Sequence, residues 1–122
     1  MNNVVNLVGR ILLAQIFIIA GVGKIFGYAG TAAYMAAMGV PGALLPLVIA
    51  LEIGGGLLLI IGWKTKWVAF ALAAFCIVAG LIFHHNFADM TQRIMFMKNL
   101  AIAGGFLILA MSGPGALSVD KK

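Results

Sequence analysis

The chain has 122 residues, of which 64% are hydrophobic and only 9% are charged. Soluble domains carry about a quarter of their residues as charged side chains, so an ordinary soluble fold is excluded, and the mean hydropathy of +1.15 indicates a polytopic membrane protein. Eight Lys and Arg oppose three Asp and Glu, an excess that membrane insertion itself requires in short loops, so the positive charge is no reason to expect nucleic-acid binding.

Four apolar stretches of bilayer length follow one another along the chain, separated by short segments that hold most of the Gly, Pro and charge. They are residues 4–26, 43–62, 67–83 and 96–111. Each run is continuous rather than alternating, and a span in lipid must satisfy its own backbone, so we expect α-helices and not a β-barrel. The sequence therefore predicts an all-α membrane protein, a bundle of four transmembrane helices that forms a single domain over residues 1–122.

The connection between the first two spans has helical signals of its own. Thr31 is the expected N-cap, residues 32–38 would form two helical turns, and Gly39 would end them before Pro41. We expect this short interfacial helix to lie on the membrane surface as a cap over the bundle. A gate for a ligand is the alternative.

The distribution of basic residues predicts the direction in which the chain crosses the membrane. One side carries Arg10, Lys64, Lys66, Lys121 and Lys122, and the other carries Lys24, Arg93 and Lys98. Five against three places both termini in the cytoplasm. Trp63 and Trp67 flank the turn on the more basic side, which fits the aromatic belt of a membrane interface.

Glu52 is the first candidate for function, because an ionisable side chain at the bilayer centre costs about 2.5–3.5 kcal/mol. It lies near the middle of the second span and must be protonated, paired or turned to a wet cavity. It is either a carboxylate that binds a ligand or exchanges protons, helped by Lys24 or Lys98, or a structural pin that pairs with a basic side chain or with Gln15. Arg10 and Lys24 lie nearer the helix ends and can snorkel, and we favour a structural role for Arg10.

Polar residues also gather at the outer end of the predicted bundle. His84 and His85 end the third span, but adjacent histidines point about 100° apart on a helix, so we expect no haem or metal centre within one chain. The same end carries Gln92, Arg93, Lys98 and Asn99. With His84 they would form a basic, hydrogen-bonding opening suited to a small anion or to the carbonyl oxygens of a quinone. For His84 itself we favour an interfacial, hydrogen-bonded role, and a site for a small ligand is the alternative.

The remaining signals are structural. Gly21, Gly23, the run 54–56 and the pair 104–105 are expected where helices approach closely in lipid, and they leave a homodimer open as an alternative. The single cysteine, Cys76, excludes an internal disulfide and is expected to be a buried packing residue. No triad, phosphate loop or nucleotide motif is present, so the sequence gives no reason to expect a self-sufficient enzyme.

Several strings of the sequence resemble the DoxX family of small four-span membrane proteins. They are GRILL at 9–13, AGVGKIFGY at 20–28, GVP at 39–41, LEIGGG at 51–56, FHHNF at 83–87 and FMKNLAIAGG at 96–105. The resemblance extends from about residue 4 to residue 120 and is nearest to uncharacterised bacterial inner-membrane members. The charged residues inside the helices recur in the family's order, which apolar composition alone would not produce.

The resemblance implies a location more firmly than an activity. The family is named after the small subunit of an archaeal thiosulfate:quinone oxidoreductase, and other members resemble membrane partners of redox enzymes or accessory proteins in quinone detoxification. Arg10, Lys24, Glu52 and Lys98 match the family's polar positions. By this resemblance the chain is a multi-pass protein of the bacterial inner membrane, an accessory or subunit of a quinone-linked redox system with a redox-enzyme partner. The alternative is a membrane scaffold or assembly protein with no ligand chemistry of its own.

Overall fold

A computed structural model describes residues 2–84 and 86–120, and every regular element in those residues is helical. The order is α1 Asn2–Phe26, α2 Tyr28–Ala37, a 3-10 turn Gly42–Leu44, α3 Leu45–Ile61, α4 Thr65–Phe83 and α5 Met90–Ser112. The helices α1, α4 and α5, together with α3 and its preceding 3-10 turn, are long and apolar enough to cross a membrane. The predicted all-α fold, with four spans and a short helix between the first two, is confirmed.

The four spans form two closely packed pairs. Helix α1 packs on α3, α4 packs on α5, and a smaller α3–α4 contact joins the pairs. Aromatic rings fill the centre, where Phe17 of α1 lies 5.5 Å from Phe106 of α5 and 6.5 Å from Phe75 of α4 between ring centroids. Many large apolar side chains on the outside, such as Ile19 and Ile108, are exposed, as expected for helices whose solvent is lipid.

Glycines set the distance between α1 and α3. A Cβ added to Gly56 would lie 2.6 Å from Cγ1 of Ile18, and one added to Gly21 would lie 2.5 Å from Cγ1 of Ile53. Only a missing side chain allows this approach, as is usual for helix contacts in lipid. The predicted close approach is absent at Gly23, Gly54 and Gly104, where an added Cβ would meet open space.

The helix after the first span starts earlier than the sequence suggested. The expected N-cap, Thr31, lies inside Tyr28–Ala37 and donates its hydroxyl to the carbonyl of Gly27 at 2.9 Å. The prediction of Thr31 as a cap is therefore wrong, because one helical turn from Gly27 already precedes it. The predicted stop at Gly39 is correct, since Gly39 has a φ of +84° and donates its N–H to the carbonyl of Ala36.

The fourth span is also longer than expected, starting at Met90 rather than at residue 96. The carboxylate of Asp89 accepts the N–H of Thr91 at 2.8 Å and caps the helix. The polar residues Gln92 and Arg93 precede the start of the fourth span that the sequence predicted. In the structure they lie in the first turns of α5.

The bundle has two ends with different roles. One end, which we call the terminal face, carries the start of α1, the α3–α4 turn at 62–64 and the C-terminal segment 113–120. The other, the loop face, carries α2, the 3-10 turn and the α4–α5 connection. His85, Lys121 and Lys122, which entered the sequence predictions, lie outside the described residues.

Candidate functional site

Glu52 and Lys24 form a buried ion pair between α3 and α1. The Nζ of Lys24 donates to Oε1 of Glu52 at 2.7 Å. The Glu52 side chain is 4% exposed, whereas the Lys24 side chain is 28% exposed. Of the two basic residues considered for Glu52, the structure therefore selects Lys24 over Lys98.

The pair exists because the helices come close at Gly21. A Cβ built on Gly21 would already touch the Cβ of Glu52 at 3.4 Å, so α3 lies against the bare backbone of α1 at this level. Lys24 follows Gly21 after three residues and projects from the same face of α1. Its four-carbon chain then reaches the carboxylate without disturbing the helix contact.

The ion pair leaves hydrogen-bonding capacity unused. An ionised carboxylate offers about four lone-pair sites, and within residues 2–84 and 86–120 Glu52 accepts one hydrogen bond. Lys24 has three ammonium hydrogens, and in the same part of the chain it donates one hydrogen bond, the one to Glu52. A small polar molecule beside the pair can therefore meet both a cation and an anion at membrane depth.

Gln15 does not take part in this pairing. It precedes Lys24 by 24 − 15 = 9 residues, which is about half a turn beyond two full turns of an α-helix, so the two side chains lie on opposite faces of α1. Gln15 is exposed. The alternative in which Gln15 hydrogen-bonds to Glu52 is therefore wrong for the described structure.

None of the other predicted site residues hydrogen-bonds to Glu52 in the described part of the chain. Asn99 donates its Nδ2 to the carbonyl of Cys76 at 3.1 Å and so links α5 to α4. Lys98, beside it on α5, is exposed. His84 is the C-cap of α4, and its backbone N–H donates to the carbonyl of Gly80. His84 and Gln92 are both half-buried at the loop face.

Arg10 is almost fully buried, at 1% exposure, and its guanidinium is surrounded by oxygen atoms. Its Nη1 donates to the carbonyls of Leu59 and Ile60 at 2.9 and 2.7 Å. Its Nη2 donates to the carbonyl of Leu117, and its Nε donates to Oδ1 of Asn6 at 2.8 Å. The carbonyls of Leu59 and Ile60 belong to the last turn of α3, which has no internal donors for them, so Arg10 satisfies a helix end and complements its dipole.

The C-terminal segment completes this arrangement. The carboxylate of Asp120 accepts the backbone N–H groups of Lys64 at 3.0 Å and Thr65 at 2.8 Å, at the start of α4. The backbone N–H of Asp120 donates to Gly62, and Val119 donates to Ile61. The segment thus holds the α3–α4 turn from both sides. Asp120 caps the start of α4, and the carbonyl of Leu117 binds Arg10 at the end of α3. Sequence reasoning missed this role, although Asp120 is the only acid after the last span.

A cavity of about 660 Å³ lies on the terminal face and was also missed. It is lined by Trp63, Lys64, Thr65, Lys66, Trp67, Ala110, Met111, Ser112, Gly113, Pro114 and Asp120. Lys64 adopts a left-handed backbone conformation with a φ of +54°. Gly adopts this conformation freely and Asn occasionally, whereas it is unfavourable for most other residues. The sequence signal was present in the two Lys and two Trp around Thr65, but it was interpreted as topology alone.

No group of three His, Cys, Asp or Glu that could hold a metal ion occurs among the described residues. Cys76, the single cysteine, is buried within α4 among core residues.

Comparison with known proteins gives a consistent result. The DoxX family model matches residues 5–85. The chain is 56% identical over 115 residues to the inner membrane protein YqjF of Escherichia coli (strain K12), covering 94% of this chain and 88% of that protein. It is 39% identical over 127 aligned positions to the inner membrane protein YphA of the same organism, covering 98% and 90%. No solved structure matches the chain.

Proposed function

The chain belongs to the DoxX family and is an integral inner-membrane protein, and from that premise we propose that it is a non-catalytic component of a quinone-linked redox system. In this proposal the Lys24–Glu52 pair binds a quinone or a small anion. Its two termini lie in the cytoplasm, as the basic residues predict. A redox enzyme would be its partner in the membrane.

One observation carries the proposal: the buried Lys24–Glu52 ion pair forms fewer hydrogen bonds than its two groups can form. The desolvation free energy of two buried charges exceeds the free energy of their attraction unless further hydrogen bonds satisfy both groups. Glu52 accepts one hydrogen bond from the described residues and its side chain is 4% exposed, while the side chain of Lys24 is 28% exposed. A quinone carbonyl accepts hydrogen bonds, so the free ammonium hydrogens of Lys24 suit it, and a small anion suits the same cation.

The proposal is tested by titrating a short-chain ubiquinone into the purified protein and its Glu52→Gln variant, with binding followed by native mass spectrometry. Glutamine keeps the shape of the side chain and removes its charge, so Lys24 loses its fixed position. We expect the affinity for the quinone to fall about tenfold, which corresponds to about 1.4 kcal/mol. Asp89→Asn, the same change at an exposed helix cap, is the matched control and should bind as the wild type does. Equal quinone affinity in a folded Glu52→Gln protein would falsify the site.

The second candidate function is a scaffold or assembly protein, and it is favoured by the position of the ion pair between α1 and α3. A pair that links two helices already in close contact fixes which faces meet, whether or not a ligand binds. This alternative predicts that Glu52→Ala lowers the melting temperature and the recovery of a partner protein, with quinone titration showing no binding even in the wild type. A normal melting temperature and an intact complex in Glu52→Ala would count against it.

A further inference from the structure

The cavity on the terminal face lies where three of the membrane-spanning helices begin or end, so we expect it at the level of the lipid headgroups. It is bounded by the end of α3 at Ile61, the start of α4 at Thr65 and the end of α5 at Ser112. Trp63 and Trp67 stand on its rim and are 45% and 67% exposed. Tryptophan is enriched at this level of membrane proteins because one side of the ring is apolar and the N–H is polar.

The charge of the cavity is complementary to a single negative charge. Among its lining residues Lys64 and Lys66 are cationic and Asp120 is anionic, which gives 2 − 1 = +1. The carboxylate of Asp120 is engaged with backbone N–H groups at the start of α4. The Nζ atoms of Lys64 and Lys66 lie 5.6 and 5.5 Å from the ring centroids of the two tryptophans, a cation–π geometry that holds both ammonium groups beside the cavity.

Thr65 supplies a second, independent observation. Its side chain is fully buried and lines the cavity, yet its hydroxyl has no hydrogen-bond partner among the described residues. Buried hydroxyls are nearly always hydrogen-bonded, so an exception calls for a missing partner. The hydroxyl lies in the first turn of α4, where the N–H of Thr65 already donates to the carboxylate of Asp120, and a phosphate oxygen would be an acceptor for the hydroxyl.

The cavity continues into an apolar groove along α5. This shallow hollow is lined by Leu107, Ile108, Met111 and Ser112, and it shares the last two residues with the cavity. From Ser112 to Leu107 the groove runs 112 − 107 = 5 residues toward the membrane interior, about 7.5 Å along the helix. A free phosphate ion would make no apolar contact in this groove, whereas the acyl chain of a phospholipid can lie in it.

We propose that the terminal face binds one phospholipid, with the phosphodiester in the cavity between Lys64, Thr65 and Lys66 and an acyl chain in the groove at Leu107 and Ile108. The lipid would complete the hydrogen bonding of Thr65 and neutralise the excess positive charge. This site is separate from the Lys24–Glu52 pair, which does not line the cavity, so either proposal can fail without the other.

The test is native mass spectrometry of the full chain, delipidated in detergent and titrated with phosphatidylglycerol. We expect one lipid per chain in the wild type. The variant Lys64→Gln with Lys66→Gln should bind the lipid about tenfold more weakly, because each charge-assisted hydrogen bond to phosphate is lost. Arg93→Gln, which removes an exposed basic residue at the loop face, is the matched control and should bind normally.

Thr65→Val separates a ligand role from a structural one. Valine has the shape of threonine without the hydroxyl, so in the lipid-free protein the melting temperature should be unchanged or higher. Lipid affinity should nevertheless fall several-fold, and Thr65→Ser, which keeps the hydroxyl, should restore it. A Thr65→Val protein that melts lower without lipid and binds lipid as the wild type does would overturn the assignment of this hydroxyl.

Two further titrations identify the source of the phosphate. Inorganic phosphate would occupy only the cavity, and a diacylglycerol without phosphate would occupy only the groove. Both should therefore bind far more weakly than phosphatidylglycerol. Inorganic phosphate binding as tightly as the lipid, with the same loss in the double lysine variant, would overturn the lipid assignment in favour of a free anion. Equal lipid binding by every variant would overturn the site itself.

Discussion

Arg10 and the Lys24–Glu52 pair are two solutions to the same problem, a charge buried between α1 and α3. Arg10 and Lys24 lie on the same face of α1, 24 − 10 = 14 residues and about 21 Å apart along the axis. Arg10 donates to three backbone carbonyls and one amide oxygen. Glu52 accepts one bond from a half-exposed partner in the part of the chain that is described.

This difference in hydrogen bonding distinguishes a buried charge that stabilises the fold from a buried charge that a ligand can contact. The guanidinium of Arg10 has five N–H donors, and it forms four hydrogen bonds to fixed groups of the terminal face. Within the described residues the carboxylate of Glu52 accepts one hydrogen bond. The four bonds of Arg10 indicate a structural role, whereas the single side-chain partner of Glu52 supports the proposed ligand site.

The largest effect is expected from Arg10→Leu, which removes the donors but keeps an apolar side chain. Each buried acceptor left without a donor costs about 1–3 kcal/mol, and the carbonyls of Leu59, Ile60 and Leu117 all lose theirs. We expect the largest fall in melting temperature of any single variant, measured in detergent. Arg93→Leu, an exposed arginine with one bond at 3.3 Å, is the control and should change little. A wild-type melting temperature for Arg10→Leu would contradict the structural role.

The ion pair should contribute less to stability than Arg10 does. A double-mutant cycle of Lys24→Met and Glu52→Gln, followed by thermal unfolding in detergent, should give a coupling energy of about 0.5–3 kcal/mol, the range for residues in direct contact. The cycle is needed because Lys24 can snorkel once its partner is changed. Additive effects of the two substitutions would show that the 2.7 Å contact is not formed in the folded protein.

Gly56→Ala tests the helix contact that both regions share. The new methyl group would lie 2.6 Å from Ile18 and 3.2 Å from the carbonyl of Ala14 on α1, and overpacking of this kind costs about 1–3 kcal/mol. Forcing α1 away from α3 should weaken the Arg10 network and the ion pair together. Gly54→Ala, where an added Cβ meets open space, is the matched control, and a gain of up to about 1 kcal/mol is expected there from helix propensity.

The smallest effect is expected from Asp120→Asn. The amide still has one oxygen for the N–H groups of Lys64 and Thr65 but loses the charge that favours a helix start, a loss of about 1 kcal/mol. Hydrogen exchange of the Thr65 N–H measures it locally and should become faster. Unchanged protection would mean that the C-terminal segment does not cap α4, and the terminal face would then depend on Arg10 alone.

The sequence predicted the four spans and the short helix correctly because hydrocarbon imposes length and continuity on every helix. It also identified Glu52 as a buried charge. It left the partner open between Lys24 and Lys98, because that choice depends on how closely α1 approaches α3 at Gly21. The contacts of Arg10 with Leu117, and of Asp120 with Lys64, join residues more than 50 positions apart. No periodicity encodes contacts of that kind.

We propose that a ligand binds at the Lys24–Glu52 pair, whereas the Arg10 network of the terminal face forms without one. Infrared difference spectroscopy of the protein in lipid, with and without a short-chain ubiquinone, tests it most directly. A carboxylate band that shifts on quinone addition in the wild type and in Asp89→Asn, and that is absent in Glu52→Gln, is the result this structure predicts. A quinone-induced carboxylate band that persists in Glu52→Gln, or no band in a wild-type protein that binds the quinone, would contradict it.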